Sequence, residues 1–435
     1  MVNPKSVDLN KKTLRRLDNQ QKKWALILGG VMLAIFVILA VVCSIYLHND
    51  KVYDLDQTKA RTTNGLTAKD EVESPVELEP SDIAYECYIG SYIENISSFS
   101  VQNSTFTADM VVWFSWYGDG KDGPADTVRV LNGTMKDKKV LEEYHLYVDP
   151  EDESNVMEVE KGKEDEFIKK MGADPESEEG DTIRGNILNY QRIKFTATIN
   201  KVFDITRIGL DNHTLEIDLE DSRDSTSIRY VKDIEEKSDL MSPGIKLSGY
   251  DITGNNTSIK NYTYKTSYSD MTIDNPAKSV FTRYIATIDI QRGLSSYFNL
   301  ILPYLILFFI AMFSLLNKFT DRFRLGLITS TLFGVVTLQR TNNLVPAGNG
   351  ELNLMSIISL VNLLALFLLV VVDFVSSRMF ERYDGINDPH GAYFDKENLV
   401  EKPAPVSRFM DYIALVSVGV GYFIFNLALI LACVL

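Results

Sequence analysis

Five long apolar runs, almost free of charge, constrain this chain more than anything else in it. They cover Trp24 to Tyr46, Tyr297 to Leu316, about Leu325 to Leu338, Leu352 to Val375 and Tyr412 to Leu435. A charge-poor apolar run of about 18 residues or more reads as a membrane-crossing helix. The first run, at about 1.5 Å per residue, is roughly 35 Å long and spans a bilayer. The third is shorter and more polar than the rest. The last run but one carries a single Asp373 near its end.

Lysine and arginine in the short connecting loops set the orientation. Residues 1–23 hold seven: Lys5, Lys11, Lys12, Arg15, Arg16, Lys22 and Lys23. That basic tail predicts a cytoplasmic N-terminus. Residues 47–295 then lie outside. Lys318, Arg322 and Arg324 mark the next inside loop. Residues 341–351 carry no Lys or Arg and mark an outside loop. Arg378, Arg382, Lys396, Lys402 and Arg408 mark the last inside loop, and the C-terminus ends outside. The reading is a multi-pass protein of the plasma membrane, or of the inner membrane in a bacterium. The first run, at 23 residues, exceeds the usual 7–15 of a signal sequence, so it reads as an uncleaved anchor.

Between the first run and the rest the pattern changes twice. Residues 47–84 are polar and read as a linker. From residue 85 short alternating runs begin. Thr105 to Trp116, Arg192 to Val202, Leu215 to Leu219, Ser227 to Val231 and Phe281 to Ile290 alternate and favour β-branched and aromatic residues, as strands do. The expected fold is α+β. An antiparallel β-sandwich over 85–295 precedes a four-helix membrane domain over 296–435, with one extra N-terminal membrane helix over 24–46.

The charge is uneven too. Residues 142–181 hold 16 acidic and 4 basic side chains, against a whole-chain net charge of −15. So acidic a surface excludes nucleic acid as a partner. The segment reads either as a solvated insertion or as a Ca²⁺ site at Glu151, Asp152 and Glu153, because Ca²⁺ takes clustered oxygen ligands. Beyond Ca²⁺ modulation no cofactor is expected. Seven N-x-S/T sites, at Asn95, Asn103, Asn132, Asn212, Asn255, Asn256 and Asn261, all fall in the outside domain. The four histidines, His48, His145, His213 and His390, form no metalloprotease signature, and no nucleophile elbow or phosphate-cradling glycine loop occurs. The chain does not read as an enzyme.

The third apolar run carries the functional signal. It holds Thr329, Ser330, Thr331, Thr337 and Gln339 within one span. On a helix Arg322, Gly326, Ser330, Phe333, Thr337 and Arg340 share one face. A polar stripe on a membrane helix faces water or a bundle interior; serine and threonine also serve as glue between helices. A register one turn different would bring Arg324, Ile328 and Thr331 to that face instead.

The order of these parts resembles the pentameric ligand-gated ion channels, the superfamily of the Cys-loop receptors, over about residues 85–435. Thr105 to Trp116 resembles the early strand pattern of bacterial members. Phe203 to Asp211 resembles the family's DL..FPFD loop, with Gly209-Leu210 in place of Pro-Phe. Arg292 stands where the family keeps a basic residue before the first pore-domain helix, and Pro303 matches that helix's proline. The two loop cysteines are absent, as in bacterial members, and the N-terminal anchor is outside the family plan.

The resemblance implies a homopentamer in the bilayer, passing ions through a pore lined by the helix around 322–343. Five copies of Phe333 would form a hydrophobic gate. Coupling would use Leu210, Asp211, Arg292, Asn343 and Pro346. Trp113, Trp116, Tyr262, Tyr264 and Tyr268 would line the site of a small-molecule or ionic agonist. The alternative is a non-conducting, membrane-anchored sensor or scaffold with an outside β-domain.

Overall fold

Buried residues alternate with half-buried ones from Thr105 to Trp116 along the strand β2 (Thr105–Tyr117). Its neighbours are built on the same period of two. The computed structural model describes residues 19–69, 85–152, 154–233, 240–264, 279–317, 322–341, 352–379, 394–395, 400–401 and 405–434. In chain order a helix α1 (Asn19–Thr62) precedes the β-rich part. That part comprises β1 (Glu86–Ser100), β2, β3 (Val128–Val130), β4 (Gly133–Val148), β5 (Val156–Glu158), helices α2 (Glu164–Lys170) and α3 (Glu178–Gly185), β6 (Ile187–Asn200), β7 (Asn212–Asp221), β8 (Arg229–Lys232), β9 (Tyr250–Tyr264) and β10 (Ser279–Arg292). Helices α4 (Leu294–Phe313), α5 (Arg322–Thr341), α6 (Leu354–Met379) and α7 (Pro405–Val434) follow.

The chain divides into two compact units. One comprises Met1–Lys51, Ile205–Asp211 and Leu294–Leu435; the other comprises Val52–Asp204 and Asn212–Gly293. In the second unit a six-stranded sheet runs β5-β4-β6-β2-β1-β8 and a four-stranded sheet runs β3-β7-β10-β9. Inward residues of both sheets, among them Phe106, Phe114, Phe195, Leu215, Ile217, Tyr284 and Ile288, share one core. The pairing is antiparallel except at one edge, where β8 runs parallel to β1. The sheets expected to be antiparallel thus carry one parallel edge pair. The acidic insertion is structured: α2 and α3 pack Phe167 and Ile183 onto a small separate core of Tyr147, Val159 and Ile187. Acidic side chains crowd the first turn of each of these two helices, where the helix dipole favours them.

Among the described residues four helical stretches are long and apolar enough to cross a membrane: Lys22–Thr62, whose last turns fall in the second unit, and Leu294–Leu316, Leu354–Arg378 and Ser407–Val434 of the first. The apolar part of α5, Phe323–Gln339, is shorter. The core of this unit includes Met32, Phe36, Tyr304, Phe308, Ile358, Leu369, Val418, Tyr422 and Phe425. Phe308 and Tyr422 stack at 3.9 Å between ring centroids. Helix α1 seats against α7 through two glycines. A methyl group at Gly29 would lie 2.4 Å from Ile413, and one at Gly421 would lie 2.7 Å from Phe36. Only a bare backbone allows helices that close.

Helix α1 does not stop at the end of its apolar run. It continues without a break to Thr62, so the first 16 residues of the expected linker, 47–62, are helical. An established helix adds residues at far less cost than it takes to nucleate one. Cys43, Cys87 and Cys433 are all free thiols.

Candidate functional site

Helix α5 has two contrasting faces. Arg324 and Ile328 are completely buried, Val335 likewise, and Thr331 is 3% exposed. Their spacing of four, three and four defines one side of a helix. On the opposite side Gly326, Ser330 and Thr337 are exposed, and Phe333 is 70% exposed. A side chain added at Gly326 would meet nothing within 4 Å. The face proposed from sequence is thus the exposed one, and the one-turn alternative (Arg324, Ile328, Thr331) is the buried one. Arg322 and Arg340 belong to the same helix; their side chains lie outside the described ones. Ser330 donates to Leu327 O at 2.9 Å and Thr337 to Phe333 O at 2.8 Å. Their protons are used within the helix, to carbonyls three and four residues back.

Behind that face sits a charge cluster that sequence reasoning missed. Arg324 donates from Nη1 and Nη2 to the two oxygens of Asp411, both at 2.9 Å. Its Nε lies 2.7 Å from Asp373. Ser376 donates to Asp411 at 2.7 Å. Arg324 therefore is not a loop residue that marks topology; it is a helical residue sealed among α5, α6 and α7. The one available signal was the lone Asp373 in an apolar run, because a buried carboxylate demands a partner.

The segment between β6 and β7 belongs to the helical unit. Ile208 and Leu210 are part of that unit's core. Gly209 adopts φ +102° and lies against Leu300, Met355 and Tyr297. Only glycine takes this backbone conformation without strain. The Asp211 carboxylate accepts the Gly209 N–H at 2.8 Å, and Thr206 O accepts the Leu354 N–H at 2.7 Å. Arg207, 1% exposed, lies 3.3 Å from Asp50 of α1. Of the other expected coupling residues, Arg292 donates to the Tyr250 hydroxyl and stands 4.5 Å over its ring. Asn343 and Pro346 lie outside the described residues.

The expected agonist residues do not form one cage. Trp116 is buried in the sandwich core and donates to Asp119 O at 3.0 Å. Trp113 is on the other face of β2, donating to Asp233 at 3.0 Å. Three residues along a strand reverse the side-chain direction, so the two indoles cannot line one site. Tyr262 and Tyr264 do share a face, with ring centroids 4.9 Å apart. Their surfaces are already engaged: the Arg283 guanidinium stands 3.7 Å over Tyr262, and the Tyr264 hydroxyl donates to Glu220 at 3.1 Å. Glu220, fully buried, also receives Arg283 at 3.0 Å and Arg129 at 2.7 Å. Burial, together with the Glu220 charge, pushes the Tyr264 phenol up to about 12. Tyr268 lies outside the described residues.

On the same sheet, Asp218 is pushed up to about 7 by burial, with the neighbouring Glu216 carboxylate adding to the shift. In the acidic insertion Glu151 is exposed, and the Asp152 carboxylate accepts from the Ser154 hydroxyl at 2.6 Å. Glu153 lies outside the described residues, and among those described no three His, Cys, Asp or Glu side chains gather as a metal site.

Comparison of the sequence with family models gives no match. Comparison with curated proteins gives none either, so what this chain is rests on its own residues.

Proposed function

We propose that the chain is one subunit of a ligand-gated ion channel, in which five copies surround a pore lined by the exposed face of α5. The observation that carries this reading is the division of α5: a fixed charge and three further residues buried on one side, hydroxyls, a glycine and a bare phenylalanine on the other. A helix that presents Ser330, Thr337 and an open glycine away from its own bundle is suited to water, and a ring of Phe333 side chains at the same depth is suited to closing it by dewetting. The buried cluster around Arg324 supports the same register, since it fixes which side of α5 faces inward.

The ligand in this reading is an ion or a polar small molecule. The tyrosines of β9 are already covered by Arg283 and bonded to Glu220, so an open aromatic cage for an organic amine is not available there. The protein would act in the plasma membrane with its N-terminus cytoplasmic.

The test is electrical. Purified protein in a planar bilayer under asymmetric KCl should give unitary current steps, and Phe333→Ala should raise open probability without any added ligand. The reversal potential would give the charge selectivity. Silence from both wild type and Phe333→Ala, with incorporation verified, overturns the proposal.

A further inference from the structure

One part of the outward face of the four-stranded sheet, around Ile285, is closed to water, while its far end at Asp289 and Gln291 is exposed. Strand alternation puts Glu216, Ile285 and Lys260 on that face, opposite the inward Leu215, Ile217, Tyr284 and Ile288. Yet Ile285 is 2% exposed, Lys260 1% and Glu216 5%. A sheet buried on both faces needs a cover. The end of α1 and the residues after it provide one. Ala60 O accepts from the Lys260 ammonium at 2.7 Å. Arg61 lies 3.9 Å from Glu216. Asn64 accepts the Asn261 N–H at 3.2 Å, and Ala68 is 1% exposed. Lys260 thus places a cation at the negative end of the helix dipole.

Asp218 shares this face. Across the sheet it stands opposite Ile285, and beyond that Ser258, so no cation sits beside it in its own row. In the next row Arg129, Glu220, Arg283 and Lys260 stand side by side, and both arginines bond to Glu220. Along its own strand the outward neighbours, Glu216 and Glu220, are both carboxylates. The charged groups that face it from other elements are Arg61 of α1, Lys201 after β6 and Arg283 of β10. Lys201 is directed to Glu216 at 2.9 Å, as Arg61 is at 3.9 Å. One oxygen of Asp218 is sealed from solvent and has no hydrogen-bond partner among the described residues. In that setting the neutral acid is the stable form and the anion is costly.

We propose that Asp218 is a proton-binding site that fastens the end of α1: the neutral acid keeps residues 52–69 seated on the sheet, and loss of its proton to solvent releases them. Release rehydrates the carboxylate, which is what makes the two events one. Seated, the group holds its proton up to about pH 7. Released, it is rehydrated and gives up its proton closer to the ordinary aspartate value of about 3.9, with Glu216 of its own strand still beside it. Between those values each rise in pH favours release. The ratio of seated to released molecules should fall about tenfold between about pH 6 and about pH 8. This is independent of whether the protein conducts ions.

Hydrogen–deuterium exchange on the full chain in lipid nanodiscs tests it. After correction for intrinsic exchange, protection of residues 52–69 should fall about tenfold over that pH interval in the wild type. Asp218→Asn, which copies the neutral acid in shape, should remain protected at both pH values. Should that variant not fold, Asp218→Thr serves, and it too should lose the pH step. A flat wild-type profile overturns the proposal, and so does an unchanged step in whichever neutral variant folds.

Discussion

Arg324 and Asp411, 87 residues apart in the chain, are joined by two parallel hydrogen bonds of 2.9 Å inside the helical unit. Removing one partner of a buried pair leaves the other charge without compensation, at a cost of about 3–5 kcal/mol. Asp411→Ala should therefore lower the thermal midpoint in detergent sharply. Asp373→Ala should cost less, because Asp373 keeps 20% side-chain exposure and makes a single contact with the arginine. Equal losses in the two variants would contradict this ranking.

The faces of α5 predict a pattern of chemical access. Cysteines placed singly at Ser330, Phe333 and Thr337 should react with a charged thiol reagent in intact vesicles. Cysteines at Ile328, Thr331 and Val335, which are buried, should not. Reaction at the second set in preference to the first would mean that the helix is turned by roughly half a revolution.

The seat of α1 against α7 is tested by neighbouring glycines. Gly29→Leu drives atoms into Ile413 and Ser417, since even a single methyl group there would come within 2.4 and 2.8 Å of them. Overpacking of this kind costs about 1–3 kcal/mol. At Gly30 the same methyl would meet nothing within 4 Å, so Gly30→Leu should leave the midpoint unchanged. Differential scanning fluorimetry of the two variants gives the comparison.

Stability of the β-rich unit should depend on pH with a definite sign. Asp218 is raised from 3.8 to about 7, so the folded state binds the extra proton. Its contribution is fully present below about pH 4 and is lost as pH rises through about 7, a change of up to roughly 4 kcal/mol. Glu143 works the other way. Burial alone would raise it, but hydrogen bonds from Lys161 and Gln191 outweigh burial and leave it below its ordinary value. Its contribution is present at neutral pH and lost only in acid, as pH falls through that lowered value. Urea unfolding should thus show stability falling from about pH 5 to about pH 7, a slope that Asp218→Asn removes.

What was legible in the sequence was what periodicity carries. Strand alternation marked β2 and the cores of β6, β7 and β10, and the apolar runs marked the long helices. The helical spacing of Ser330 and Thr337 marked the exposed face of α5, whereas hydroxyls alone do not, since Thr331 of the same run is buried. Pairings across long stretches of chain were not legible: neither Arg324 with Asp411 nor Glu220 with Arg283 has a local signature. Residues 47–62 read as a linker because they lack an apolar stripe; they are helical because they extend a helix already formed. Trp113 and Trp116 were grouped by composition, where strand parity already places them on opposite faces. The acidic insertion hid two helices, since each is under ten residues and offers too few turns for a period to emerge.

The hydrogen bond from Lys260 to Ala60 spans 200 residues. During synthesis at about 5–20 residues per second, the end of α1 leaves the ribosome on the order of ten to forty seconds before the lysine that caps it exists. For that interval the first apolar helix has been made while its last turns have no sheet to rest on. Whatever occupies the nascent chain then, a chaperone or the translocation machinery, meets a helix end that the folded protein seats on its own sheet.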